Sequence, residues 1–66
     1  MSKVSAEQAT RQRKEILDMV EYWEEQAKKA VRQGHMDRAD TFAGEAKDMK
    51  SRLRQHRQDY PEVKED

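Results

Sequence analysis

The sequence predicts an all-α fold: an antiparallel two-helix hairpin that pairs with a second copy into a four-helix bundle. Two observations predict the hairpin and a third the bundle. Ala9, Arg13, Ile16, Val20, Trp23, Ala27 and Ala30 recur at spacings of four and three, which marks one face of a helix. Ala39, Phe42, Ala46, Met49, Leu53, His56 and Tyr60 recur in the same way, and Gly34, the residue type that closes helices in a left-handed conformation, separates the two stripes. Third, the apolar arc of the first helix, from Met19 through Trp23, Ile16 and Val20 to Leu17, spans about 160°, more than one neighbouring helix covers.

Each element has its own local reasons. Residues 1–5 read as an N-terminal cap segment, because Ser5-Ala6-Glu7-Gln8 has the pattern of a capping box with Ser5 as N-cap and Gln8 reaching back. Val4 stands at the position of a hydrophobic staple to Ala9. The first helix is expected over 6–33, with Glu24–Lys28 and Glu25–Lys29 at the favourable acid-before-base spacing. Residues 34–37 form the turn. Asp37 suits the N-cap of a second helix over 38–58, and Asp40 adds negative charge to its first turn. Pro61 disfavours helix at Tyr60, so 59–66 reads as an acidic, frayed tail.

Folding the chain at Gly34-His35 brings Ala27 near Ala43, Trp23 near Ala46, Val20 near Met49, Ile16 near Leu53 and Ala9 near Tyr60. Large residues then face small ones, as close packing requires. Leu17, Met19 and Met49 are expected to flank this seam and to be covered by the second copy. One layer departs from the pattern: Arg13 meets His56 near Asp59. Water access at the open end is the simpler account of that layer, and an Arg13–Asp59 pair that fixes register is the other.

Composition limits the function. The chain has 66 residues, of which 33% are hydrophobic and 42% charged. Chains below about 70–80 residues usually need a disulfide, a metal or oligomerisation to stabilise one core. Without Cys, neither a disulfide nor a thiolate zinc site is possible, which leaves self-association. The absence of Cys fits a reducing compartment, and no apolar run has the length of a signal peptide or membrane span, so a cytoplasmic protein away from the membrane is expected.

A thin hairpin encloses no deep pocket in which carboxylates such as Glu15, Asp18, Glu21 and Glu25 would acquire catalytic pKa values, so no catalytic residue, enzyme activity or cofactor is expected. For metals, His35 and His56 fall at opposite ends of the hairpin. His56 with Asp59 offers two ligands at helical spacing, and a closed site needs a second protomer's pair, so no metal site is assigned.

Net charge is zero but sorted into blocks: +3 over residues 1–14, −5 over 15–27, +3 over 28–36, −2 over 37–48, +4 over 49–58 and −3 over 59–66. Antiparallel packing would gather Arg11, Arg13, Lys14, Lys47, Lys50, Arg52, Arg54 and Arg57 into a basic patch at the open end. Such a patch suits phosphate contacts. Against a dedicated nucleic-acid binder stand the isoelectric point of 6.7, the acidic tail beside the patch, and tyrosines that are not interleaved with the cations.

The stretch Arg32-Gln33-Gly34-His35-Met36-Asp37-Arg38-Ala39 resembles the inter-helix turn of a tetratricopeptide repeat, with Gly34, Ala39, Ala46 and Trp23 at corresponding places. Gln26, Ala30 and Ser51 depart from that pattern, and there is one copy where stacked repeats need about three. The resemblance implies a tight αα-turn and nothing about peptide binding. In overall plan the chain also resembles the Rop-type RNA-binding dimer of plasmids and the hairpin co-chaperones of type III secretion systems, without a shared residue motif.

The expected function is that of a small regulatory or adaptor protein of the inhibitor, anti-activator or co-chaperone type, akin to phage or plasmid accessory proteins, that binds a larger protein stoichiometrically. Its dimer or partner interface is expected at Ile16, Leu17, Met19, Val20, Trp23, Phe42, Met49 and Leu53. The alternative is a Rop-like nucleic-acid-binding regulator that uses the basic patch.

Overall fold

The computed structural model describes residues 4–65; residues 1–3 and 66, the outermost parts of the expected cap segment and tail, lie outside the described residues. Two helices fold back on one another, α1 over Ala6–Arg32 and α2 over Met36–Asp59. The molecule measures 45 × 22 × 13 Å, the proportions of a single hairpin. A helix of 27 residues is about 40 Å long at 1.5 Å per residue, so α1 runs nearly its whole length.

The start of α1 follows the sequence signal in part. The Ser5 hydroxyl accepts a hydrogen bond from the Gln8 N–H at 3.2 Å, which satisfies one of the unpaired donors of the first turn. The reciprocal bond from the Gln8 side chain is not made.

The turn is tighter than the sequence suggests. His35 N–H donates to the Ala30 carbonyl at 2.8 Å and Gly34 N–H to the Val31 carbonyl at 3.0 Å, the paired bonds of a Schellman motif. Gly34 carries this closure with a φ of +79°, which a side chain resists even though open space surrounds the site of a Cβ. One left-handed residue reverses the chain, so helix resumes at once. The second helix therefore begins at Met36 rather than Arg38, and it ends at Asp59. Asp37 is not its N-cap. That place falls to His35, whose side chain makes no capping bond, and Asp37 contributes negative charge inside the first turn.

The seam is built mainly from small residues. Ala9, Val20, Ala30, Ala39, Ala46, Met49 and Leu53 are buried, together with Arg13 and His56. Four of those seven apolar residues are Ala, so the helices approach closely and bury little apolar area per residue. Met49, expected both opposite Val20 and among the residues flanking the seam, lies within it and is 6% exposed. Ile16, Leu17, Trp23, Ala27 and Phe42 are half-buried, while Ala43 is exposed. Trp23 does not simply fill the space over Ala46. Its ring stacks on Phe42 at 5.7 Å between centroids and meets the edge of Tyr22 at 5.0 Å.

Over its described residues the tail makes specific contacts. Val63 N–H returns to the Tyr60 carbonyl at 3.2 Å in a turn at Pro61-Glu62, and Val63 is half-buried. The Tyr60 hydroxyl accepts from the Val4 N–H at 3.4 Å, which ties the two chain ends together.

Candidate functional site

Two regions hold the residues singled out by the sequence: a polar cluster at the open end and a partly covered aromatic face nearer the turn. The cluster is centred on Arg13, which the helical stripe of α1 directs into the seam, where it is 3% exposed. Arg13 Nε donates to His56 Nδ1 at 2.8 Å, and Arg13 Nη2 donates to the Tyr60 carbonyl at 2.9 Å. His56 stacks at a tilt against Tyr60, with centroids 4.8 Å apart, and its Nε2 lies 3.2 Å from Gln12 Oε1. Because Nδ1 accepts from a guanidinium, the ring is neutral with its proton on Nε2, which donates to Gln12. Burial first, and then the charge of Arg13, depress the His56 pKa below 6.5; Asp59, Glu62 and Glu65 offset this in part.

Burial at this layer overturns water access as its explanation. The carboxylate bonded to Arg13 is Glu65 rather than Asp59. Glu65 Oε1 accepts from Arg13 Nη1 at 2.5 Å and from Arg57 Nε at 2.7 Å, while Oε2 accepts from Arg57 Nη2 at 2.6 Å. Asp59 instead accepts from Gln55 on its own helix at 3.1 Å. The hydrogen bonds from Arg57, then those from Arg13, hold the Glu65 carboxyl at about 2, well below its usual 4.5. The same bonds raise the pKa of Arg57.

This geometry divides the expected basic patch. Arg13 is buried, Arg57 is engaged by Glu65, and Lys50 pairs with Glu24 at 2.9 Å. Lys47 belongs to the middle of the hairpin, where it lines a groove with Glu24, Ala27, Lys28 and Ala43, and so does not join the open end. Arg11, Lys14, Arg52 and Arg54 are exposed and make no ion pair among the described residues.

The expected interface residues also separate. Val20, Met49 and Leu53 are buried inside the hairpin, and Val20 also lines the floor of a groove. Leu17 lines a groove of about 630 Å³ between α1 and the tail, with Val20, Glu21 and Lys64. Met19 is displaced from Leu17 by about 160° around α1, so the two flank the seam on opposite sides. Met19 is 45% and Tyr22 55% exposed; Tyr22 meets the half-covered Trp23, and Met19 stands one helical turn before both on α1. Trp23 Nε1 is shielded from solvent yet has no acceptor. A buried indole N–H without a partner is costly, and such groups call for an explanation.

Comparison with protein-family models, curated proteins and solved structures finds no match to this chain. The site therefore stands on its own geometry. Among the described residues no group of three or more potential metal-ligating side chains converges, and no helix is long and apolar enough to cross a membrane. Sequence reasoning missed Glu65 and Gln12. A lone Glu near a chain end has no periodic signal, and Gln12 is a polar residue outside the stripe from Ala9 to Ala30.

Proposed function

We propose that this chain is a small, non-enzymatic regulatory or adaptor protein of the cytoplasm that acts by stoichiometric protein binding and self-associates into a four-helix bundle. One observation carries the reading. The largest aromatic grouping, Tyr22, Trp23 and Phe42 with Met19 beside it, is left only partly covered by the hairpin, and Trp23 Nε1 lacks an acceptor. Aromatic and Met side chains with one polar donor are the usual anchors of protein interfaces. A second hairpin or a larger protein would cover this face and supply the missing acceptor. Phosphate binding is less well supported, since Arg13, Lys50 and Arg57 are already committed to internal partners.

Sedimentation equilibrium at micromolar concentration tests self-association. The wild type is expected as a dimer. Met19→Glu, on the exposed rim of the aromatic face, is expected to shift it to monomer with its helical signal intact, and Leu17→Glu does the same if the opposite flank takes part. A folded wild-type monomer that recovers no protein from lysate would sink the proposal. Recovery of nucleic acid alone, lost at moderate salt and abolished by charge reversal at Arg52 and Arg54, would favour the alternative.

A further inference from the structure

The open-end cluster has the construction of a receptor for a carboxylate. Arg57 grips both oxygens of Glu65 with Nε and Nη2 at 2.7 and 2.6 Å, and Arg13 Nη1 adds a third charge-assisted bond. Arg13 is held from behind. His56 Nδ1 fixes its Nε and the Tyr60 carbonyl its Nη2, so its remaining edge is aimed whether or not a carboxylate is present. If Glu65 withdrew, two guanidinium groups would stand around an unfilled position with no other carboxylate among the described residues bonded to either, an arrangement that calls for an anion.

Apart from the half-buried Val63, the side-chain grip on the tail is concentrated in this one residue. Between Tyr60 and Glu65 the tail makes one backbone bond, from Val63 to Tyr60, and Pro61, Glu62 and Lys64 are exposed. Glu65 thus behaves as a tethered ligand. Beside it runs the groove floored by Leu17 and Val20 and edged by Asp18 and Glu21, which Lys64 also lines. Lys64 and Glu65 line its tail side, so a basic residue shares the groove with the acids Asp18, Glu21 and Glu24, and the acidic residue after it meets the two arginines.

We propose that Arg13 and Arg57 form a binding site for a side-chain carboxylate in an acidic segment of a partner protein, and that Glu65 occupies this site in the isolated chain. The proposal rests on the protein-binding reading above and names the chemistry of the partner's contact. A tethered competitor acts at an effective concentration of about millimolar, so a partner segment gains the site only by adding contacts along the Leu17–Val20 groove or by drawing the tail away.

The test uses full-length chains and a labelled peptide of residues 61–65, Pro-Glu-Val-Lys-Glu, blocked at both ends. Fluorescence anisotropy is expected to show binding to the Glu65→Ala chain at least ten-fold tighter than to the wild type. Binding is expected to be lost when Arg57→Ala is added or when the last peptide residue is changed to Gln. Circular dichroism checks that each chain is helical, and Glu65→Gln serves if Glu65→Ala is not. Equal affinity of wild type and variant, binding that survives Arg57→Ala, or no binding to either chain would overturn the proposal. So would equally effective competition by inorganic phosphate, which would show a site that reads charge alone. The assay contains no partner and does not depend on dimer formation, so failure here is distinct from failure to find a partner or a dimer.

Discussion

Replacing Arg13 with Met separates the polar layer at the open end from ordinary packing. Met approximates the Arg stem but brings no donors. His56 Nδ1 and the Tyr60 carbonyl lose their guanidinium partner inside the seam, where Arg13 is 3% and His56 8% exposed. Each hydrogen bond from a charged donor contributes about 1.5–3 kcal/mol, the Tyr60 carbonyl keeps the Val63 N–H as a partner, and the apolar Met side chain recovers about 1 kcal/mol of burial. Glu65 keeps Arg57 and gains water, so it receives no share. The expected net loss is roughly 2–4 kcal/mol. A chain of this length has about 3–10 kcal/mol of stability in total, so the variant is expected near the edge of folding. With a urea dependence of about 1 kcal/mol per molar, the midpoint falls by roughly 2–4 M. Urea unfolding followed by far-ultraviolet circular dichroism, at fixed protein concentration, reads this directly. Adding His56→Leu removes the stranded acceptor, and the double variant is expected to regain about 1 kcal/mol or more over Arg13→Met alone. A single variant that loses less than about 1 kcal/mol, or a double variant that loses the sum of the two singles, would refute the assignment of a coupled buried layer.

Three further outcomes follow from the same geometry. Because the folded state holds His56 neutral with its pKa below 6.5, the unfolded chain binds this proton first, so stability is full above about pH 6.5 and falls as pH drops toward the lower folded value; the His56 ring resonances in an NMR titration should give a pKa below 6.5. Glu65, held at about 2, adds stability that is present above pH 4.5 and lost as pH falls from there toward 2, and Glu65→Gln should flatten that limb of the acid-unfolding curve. Gly44 lies inside α2 with open space around the place of a Cβ, so Gly44→Ala should stabilise by about 1 kcal/mol in the same urea assay, whereas Gly34→Ala, at φ +79°, should destabilise by about 1–2 kcal/mol.

The hairpin was legible because its causes are local and periodic. The stripe from Ala9 to Ala30, the stripe from Ala39 to Tyr60 and the lone left-handed Gly34 between them specify two helices and a reversal, and the same register pairs Arg13 with His56. Asp37 misled because N-cap preference was weighed without the turn geometry; a Schellman closure at Gly34 restarts the helix before Asp37 is reached. Met49 carries two readings, opposite Val20 in the stripe and on the flank of the seam, because a helical projection gives a direction without a depth; its burial agrees with the stripe. The tail escaped because its contact depends on one carboxylate meeting two guanidinium groups more than forty residues apart in sequence, Arg13 and Arg57. No pattern along the chain encodes such a meeting.

The Schellman turn and the Arg13 layer stand at opposite ends of one zipper, and this orders events in time. Contacts around Gly34 join residues three to five apart and form with little loss of chain entropy. Those joining Arg13 to His56, Tyr60 and Glu65 close loops of 43 to 52 residues. A hairpin that zips from its turn reaches the Arg13 layer last. Substitutions there should then act mainly by speeding unfolding, while substitutions at Gly34 should slow folding. The polar layer would thus set how long each folded molecule lasts, and the turn how quickly one forms.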